Sequence, residues 1–121
     1  MPESIIYRSS PETKAIISRQ GDFTYSQLLQ HIQQYAQLFG TKGFSKVAIY
    51  AENRVEWFFA YYAALQNNCI VITIDFMASA EDVAYILDDC QPDLIFISEA
   101  MQEPYAKVVA KSKHQPEVIL L

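Results

Sequence analysis

Between Val55 and Ala106 the sequence has no Lys or Arg at all. The same stretch carries Glu56, Asp75, Glu81, Asp82, Asp88, Asp89, Asp93, Glu99 and Glu103, and the whole chain has nine basic against fourteen acidic residues, a formal charge of -5. Such a surface repels a phosphate backbone, so no nucleic-acid partner is expected. Glycine is equally scarce, with only Gly21, Gly40 and Gly43. Neither a Gly-x-Gly-x-x-Gly turn nor a P-loop can be built from them, because both need clustered glycines to bring backbone against phosphate. Cys69 and Cys90 stand alone, in neither a Cys-x-x-Cys pair nor a zinc knuckle, and are expected to be buried free thiols. His31 and His114 have no neighbouring Cys or second His, so no metal site is expected. The longest apolar run, Trp57 to Leu65, is nine residues, far short of the ~20 that span a bilayer. Pro2, Glu3 and Ser4 stand where a secretory signal carries basic residues before an apolar stretch, which points to the cytoplasm.

What is present is the material of a globular domain. The 121 residues are 51% apolar and 19% charged, with a mean hydropathy of +0.03. A chain of this size buries roughly two thirds of its unfolded surface, enough for a core without metal or disulfide staples. Ala15 to Ser18 and Phe23 flank Gln20, Gly21 and Asp22, the pattern of a hairpin. Thr24 and Gln27 have capping-box spacing, with Phe23 and Leu28 as the hydrophobic staple. The helix that starts there carries Leu28, Leu29, Ile32, Tyr35, Ala36 and Phe39 on one face and ends at Gly40 and Gly43. Val47 to Ala51 reads as a buried strand. Asn53 with Glu56 resembles a second cap, opening a helix from about Arg54 to Gln66 that is apolar nearly all round. Ile70 to Ile74 is a β-branched strand. Ser79 with Asp82 caps a helix with Val83, Ile86 and Leu87 inward, and Pro92 separates it from the strand Leu94 to Ser98. A last helix, about Met101 to Lys111, precedes an apolar stretch from Val118 to Leu121. Lys107, Lys111 and Lys113 with His114 are read as its solvated end.

Strands of continuous apolar residues alternating with helices predict an α/β fold of three layers, with a mainly parallel sheet and helices on both faces. The chain is read as one domain, 1–121. Because Leu121 falls inside an apolar strand signal, the expectation is a chain cut from a longer protein. Its bare surfaces, the aromatic helix Trp57 to Leu65 and the strand edge near Val118 to Leu121, are expected to make it self-associate.

Ligands of such sheets bind outside the carboxyl ends of the strands, here Ala51 to Arg54, Asp75 to Ser79 and Ser98 to Met101. Asn53 and Arg54 are placed to orient an anion, but Asn53 is already explained as a cap. Asp75 suits a metal or ribose, though a lone carboxylate after a strand is more commonly a turn residue. The aromatics around Trp57 suit either an acyl pocket or core packing, and packing is favoured. A phosphoacceptor receiver domain matches the length, with Asp75 and Ser98 after strands. It lacks the paired acids after the first strand and the lysine after the last.

Taken together, several segments resemble the beginning of the adenylate-forming (AMP-binding) enzymes, which include acyl-CoA synthetases, peptide-synthetase adenylation domains and luciferases. The likeness covers about Lys14 to Ser98. It rests on Phe23, Thr24, Tyr25 and Leu28; on Lys46, Val47, Ala48 and Ile49; on Asn53, Glu56 and Trp57; on Leu65 ahead of a β-branched strand ending in Asp75; and on Glu81, Ala84, Tyr85, Ile86, Leu87 and Asp88. Asn68 stands where that family usually has Gly, and Thr73 where it usually has Pro. The family's Gly-Asp before the strand is absent at Phe44 and Ser45. The resemblance implies the N-terminal subdomain portion of an ATP-dependent acid–thiol ligase. Such an enzyme activates a carboxylate as an acyl-adenylate, with Mg on the phosphates, and passes it to coenzyme A. Because Asp75 to Ser79 lacks the proline-rich turn usual in peptide-synthetase adenylation domains, the resemblance points to an acyl-CoA synthetase of the fatty-acid type. The family's phosphate loop, ribose-binding acid, hinge and C-terminal lysine match nothing here. No catalytic, cofactor-binding or metal residue is therefore assigned, and this chain by itself is expected to be inactive. The alternative is a free-standing interaction domain of the receiver type.

Overall fold

A computed structural model describes residues 12–19, 21–39 and 43–121. Gln20, expected in the hairpin turn, and Gly40, expected to end the first helix, lie outside them. The elements run β1 (Lys14–Ser18), β2 (Gly21–Thr24), α1 (Tyr25–Gln37), β3 (Lys46–Tyr50), α2 (Val55–Gln66), β4 (Ile70–Ile74), α3 (Ala80–Cys90), β5 (Leu94–Ile97), α4 (Gln102–Val109) and β6 (Glu117–Leu120), with a 3-10 turn at Glu99–Met101. β1 and β2 form an antiparallel hairpin of their own. The other four strands form one parallel sheet in the order β4-β3-β5-β6. The expected parallel α/β sheet is thus observed, including the three strands at Val47, Ile70 and Leu94.

The strands sort their side chains by parity, because successive residues of a strand point to opposite faces. Val47, Ile49, Leu94 and Phe96 pack with Leu28 and Ile32 of α1 and Val55, Phe59 and Ala63 of α2. Ala48, Tyr50, Ile95 and Ile97 pack with Val83 and Leu87 of α3 and Tyr105 and Val108 of α4. Helices therefore cover both faces, as the continuous apolar runs require.

Local chemistry sets the element ends. Thr24 Oγ1 accepts from the Gln27 N–H at 3.2 Å and Gln27 Oε1 accepts from the Thr24 N–H at 2.9 Å, the reciprocal box read from the sequence. Ser79 Oγ accepts from the Asp82 N–H at 3.1 Å and caps α3. The expected Asn53 cap is not observed. Arg54 is the extended residue that precedes α2, with no side-chain cap bond, so the helix starts one residue later than that reading needs. Glu56 falls in the first turn of α2, where its Oε2 accepts from Arg54 Nε at 3.0 Å. The last helix is also shorter than expected, ending at Val109 rather than Lys111, and a 3-10 turn precedes it. Asn68, at a position where the resembled family has Gly, takes φ 58°, in the left-handed region that Asn tolerates better than most side chains.

Two aspartates hold the amino ends of the sheet together. Asp93 Oδ2 accepts from the Ser45 N–H at 2.8 Å, the Lys46 N–H at 3.0 Å and Ser45 Oγ at 3.1 Å, joining the start of β5 to the start of β3. Asp88 Oδ1 accepts from Ser112 Oγ and from the N–H groups of Lys113 and His114, fixing the turn before β6. The lysines of the basic cluster, Lys107, Lys111 and Lys113, are exposed; it is the backbone N–H groups of Lys113 and His114 that donate to Asp88, and the His114 ring is hydrogen-bonded to the Pro92 carbonyl. Hydrogen bonds from the backbone of Ser45 and Lys46 hold the Asp93 carboxyl below its usual range. Because the folded group titrates below its unfolded counterpart at about 3.9, its stabilisation is complete above that pH and lost as the pH falls through the folded pKa. Asp93→Asn is expected to destabilise the chain at pH 7 by about 1 kcal/mol, a figure reduced for solvent screening. Urea titrations at pH 7 and pH 3 should show the difference between wild type and variant shrinking at the lower pH; an equal difference at both contradicts this role.

Candidate functional site

β3 hands the chain to α2, which lies on the α1 side of the sheet, whereas the neighbouring β5 hands it to α4, on the opposite side. The connections therefore diverge between the carboxyl ends of β3 and β5, and a crevice opens there, the position where open α/β sheets take ligands. Its floor is polar. Ser98, fully buried, donates from Oγ to Glu52 Oε2 at 3.1 Å across the divergence. Glu52 Oε1 is buried without a hydrogen bond and has Arg54 Nη1 at 3.8 Å. Arg54 is gripped from the other side by Glu56, whose hydrogen bond holds the guanidinium still more firmly protonated than usual.

The wall of the crevice is apolar. A cleft of about 1340 Å³ runs between the β1 strand and the start of α2, lined by Ile16, Ile17, Tyr25, Trp57, Phe58 and Tyr62, with Arg19 and Arg54 among its polar residues. Trp57 stacks on Tyr61 at 5.2 Å and 11° and meets Phe58 edge-on. Trp57, Tyr61 and Tyr62 are only half-buried and Phe58 is 42% exposed, because the buried face of α2 consists of Val55, Phe59, Ala60, Ala63 and Ala64. Trp57, Tyr61 and Tyr62 still pack against the α1–α2 core, the favoured reading, while Trp57, Phe58 and Tyr62 also line the open cleft. A second, smaller hollow of about 320 Å³ lies on the α4 side, lined by Tyr50, Ala78, Glu103 and Lys107, and both share Ala100.

The residues singled out in the sequence separate here. Arg54 lies in the crevice but is engaged by two carboxylates, so it is no free anion binder. Asn53 lines the same cleft as an exposed residue. Asp75 is a turn residue, its Oδ1 accepting from the Met77 N–H at 2.9 Å. The Glu52–Ser98 pair was not singled out, since 46 positions separate its members and only the β3–β5 pairing unites them. Cys69 is buried, its thiol donating to the Phe44 carbonyl at 3.3 Å and pushed up in pKa by burial, while Cys90 is half-buried; both are free. On the crevice floor Arg54 is paired with Glu52 and Glu56, and Glu52 is committed to Ser98 and Arg54, so these side chains do not suit Mg or a phosphate; among the described residues no group of three His, Cys, Asp or Glu converges, and Arg19, exposed, is the second cation lining the cleft.

Architecture and crevice together define an α/β unit that presents the carboxyl edge of a parallel sheet. The family model for AMP-binding enzymes matches residues 6–121, and the chain belongs to that family. This bears out the resemblance drawn from the sequence. The crotonobetaine/carnitine–CoA ligase of Proteus mirabilis is 28% identical over 97 residues, covering 78% of this chain and 18% of that protein. Fatty acyl-CoA synthetase B of Dictyostelium discoideum is 32% identical over 82 residues, covering 66% and 12%. The crystal structure of an anthranilate CoA ligase in complex with anthranoyl-AMP superposes with a TM-score of 0.86 at 12% identity, over 98% of this chain and 23% of that one, a likeness of fold. The chain spans less than a fifth of the length of these two curated relatives.

The Glu52–Ser98 bond is expected to show as energetic coupling. Ser98→Ala leaves a carboxylate oxygen without its donor and should cost about 1–3 kcal/mol. In a double-mutant cycle with Glu52→Ala the two losses should be non-additive by at least about 0.5 kcal/mol; strict additivity in urea denaturation contradicts the pairing.

Proposed function

We propose that this chain is the N-terminal subdomain portion of an ATP-dependent acid–CoA ligase whose carboxylate substrate is apolar, a fatty acid in the first instance. The observation that carries the reading is the family match along residues 6–121. The fatty-acid preference is supported by the Dictyostelium fatty acyl-CoA synthetase, a relative at 32% identity. In the proposed reaction a carboxylate oxygen bonds to the α-phosphorus of ATP as the bond to the β-phosphate oxygen breaks, releasing pyrophosphate. The thiol of coenzyme A then attacks the acyl carbon, AMP leaves with the electron pair of the acyl–oxygen bond, and the thiol proton goes to solvent. Mg, where bound, neutralises the phosphates. In this reading that charge comes from the remainder of the enzyme, which is supported by a crevice floor whose guanidinium, Arg54, is already paired with Glu52 and Glu56. The chain's proposed role is to shape one side of the enzyme, with phosphate and Mg binding left to the remainder. Two free cysteines suit the reducing cytoplasm as its compartment. The family match favours this reading over a receiver-type domain.

Carboxylate-dependent exchange of pyrophosphate into ATP tests the proposal. The full-length protein carrying this chain is expected to support exchange with fatty acids, and residues 1–121 alone to give none above a no-enzyme control. Absence of exchange by the full-length protein across a panel of fatty, aromatic and short-chain acids contradicts the ligase reading. Exchange by the chain alone contradicts the division of labour.

We further propose that the isolated chain self-associates, because Phe58, Val118 and Leu120 leave apolar surface bare and β6 is an open edge among the described strands. Light scattering over a concentration series should show a mass rising above 13.8 kDa; a constant monomer mass to high micromolar concentration contradicts it.

A further inference from the structure

Among the described helices, α1 differs from the others in charge. α2 carries Glu56, α3 carries Glu81, Asp82, Asp88 and Asp89, and α4 carries Glu103 and Lys107, whereas the 13 residues of α1 contain no Asp, Glu, Lys or Arg. Its buried side is Leu28, Leu29 and Ile32. Its outer side is Gln30, Gln33, Gln34 and Gln37, all exposed, and ends on Leu38 at the C-cap, 44% exposed. Helical spacing puts Gln30, Gln34 and Leu38 in one row, with Gln33 and Gln37 beside it.

The ends of α1 are as neutral as its face. α2, α3 and α4 each have an acidic residue in the first turn, which offsets the positive end of the helix dipole. α1 has no acidic residue in its first turn and no basic residue in its last, so neither end of its dipole meets a side-chain charge of its own helix.

These two features select a partner. Copies of a chain with a formal charge of -5 repel each other where acidic surfaces meet, and α1 is the described helix on which they can approach with no like charges facing. A carboxamide both donates and accepts hydrogen bonds, so a row of glutamines is complementary to its own copy, as a row of carboxylates is not. A two-fold axis through the middle of the helix sets the two copies antiparallel and brings the positive end of each dipole to the negative end of the other. We infer that α1 is a self-association surface on which a second copy of this chain docks by its own α1, antiparallel, with Gln30 and Gln34 meeting their copies about the axis. A helix of 13 residues is about 20 Å long, so the contact falls short of the roughly 1,200 Å² of a stable complex, and the dimer is a weak one. This surface is separate from the bare edge at β6.

Sedimentation equilibrium of the full-length protein, carried into the high micromolar range at low ionic strength, tests this. The wild type is expected to show a monomer–dimer equilibrium. Gln30→Glu with Gln34→Glu, and Gln30→Lys with Gln34→Lys, each put like charges across the axis and should weaken the dimer at least about tenfold. Their equimolar mixture brings opposite charges together and should recover association at the wild-type strength or better. All of these exchanges are at exposed positions, and circular dichroism should show unchanged helix content. A wild type that stays monomeric overturns the inference. So does a Glu variant that dimerises like the wild type, which places the contact elsewhere, and so does a mixture that stays monomeric. As a second measurement, Gln34→Ala removes one amide without adding charge and favours the helix; it should weaken association about threefold or more, and an unchanged association constant contradicts amide pairing on this face.

Discussion

Everything in this fold depends on the burial of both faces of β3. Val47, Ala48, Ile49 and Tyr50 are each at most 1% exposed, and β3 is paired on both sides, by β4 and β5. A strand with no polar face needs two helix layers, and each fully buried Val or Ile contributes about 1.5–3 kcal/mol to holding them. Register is strictly set as a result. A slip of one residue would bring Tyr50 into the α1–α2 core and Ile49 into the α3–α4 core, mismatching both volumes at once.

The same constraint places the crevice. With α2 on one face and α4 on the other, the chain must diverge between the carboxyl ends of β3 and β5, and polar groups there meet neither layer. Ser98 and Glu52 satisfy each other at that point, and Arg54 balances the charge. The acidity of the middle of the chain then has a consistent sense. An edge held by its own carboxylates and one committed guanidinium can shape a site, and in the proposed reading the phosphate-binding cations come from the rest of the enzyme.

Much of the fold was legible because its determinants are local. Thr24 with Gln27 and Ser79 with Asp82 are caps written within four residues, and the runs at Val47, Ile70 and Leu94 are too short and too β-branched for buried helices. The hairpin was legible from Gly21, which takes φ 129°. Asn53 misled because its spacing to Glu56 is that of a capping box, whereas Glu56 bonds Arg54 Nε and the extended backbone at Arg54 starts the helix one residue later. The site was barely legible. Glu52 and Ser98 carry no motif, and neither strand order nor the side to which each helix crosses is encoded in any single segment. Asp93 and Asp88 were likewise invisible as structural anchors, since their partners lie 47 and 26 positions away.

If β3 is the organising element, its amides and those of β5 must be the last to open. Native-state hydrogen exchange on the isolated chain reads this directly as the free energy of opening at each residue. The account predicts the slowest exchange at Val47–Tyr50 and Leu94–Ile97, with a common free energy equal to that of global unfolding, and faster exchange in the β1–β2 hairpin and β6. Slowest exchange in the hairpin or in β6, or separate opening energies for β3 and β5, would contradict it.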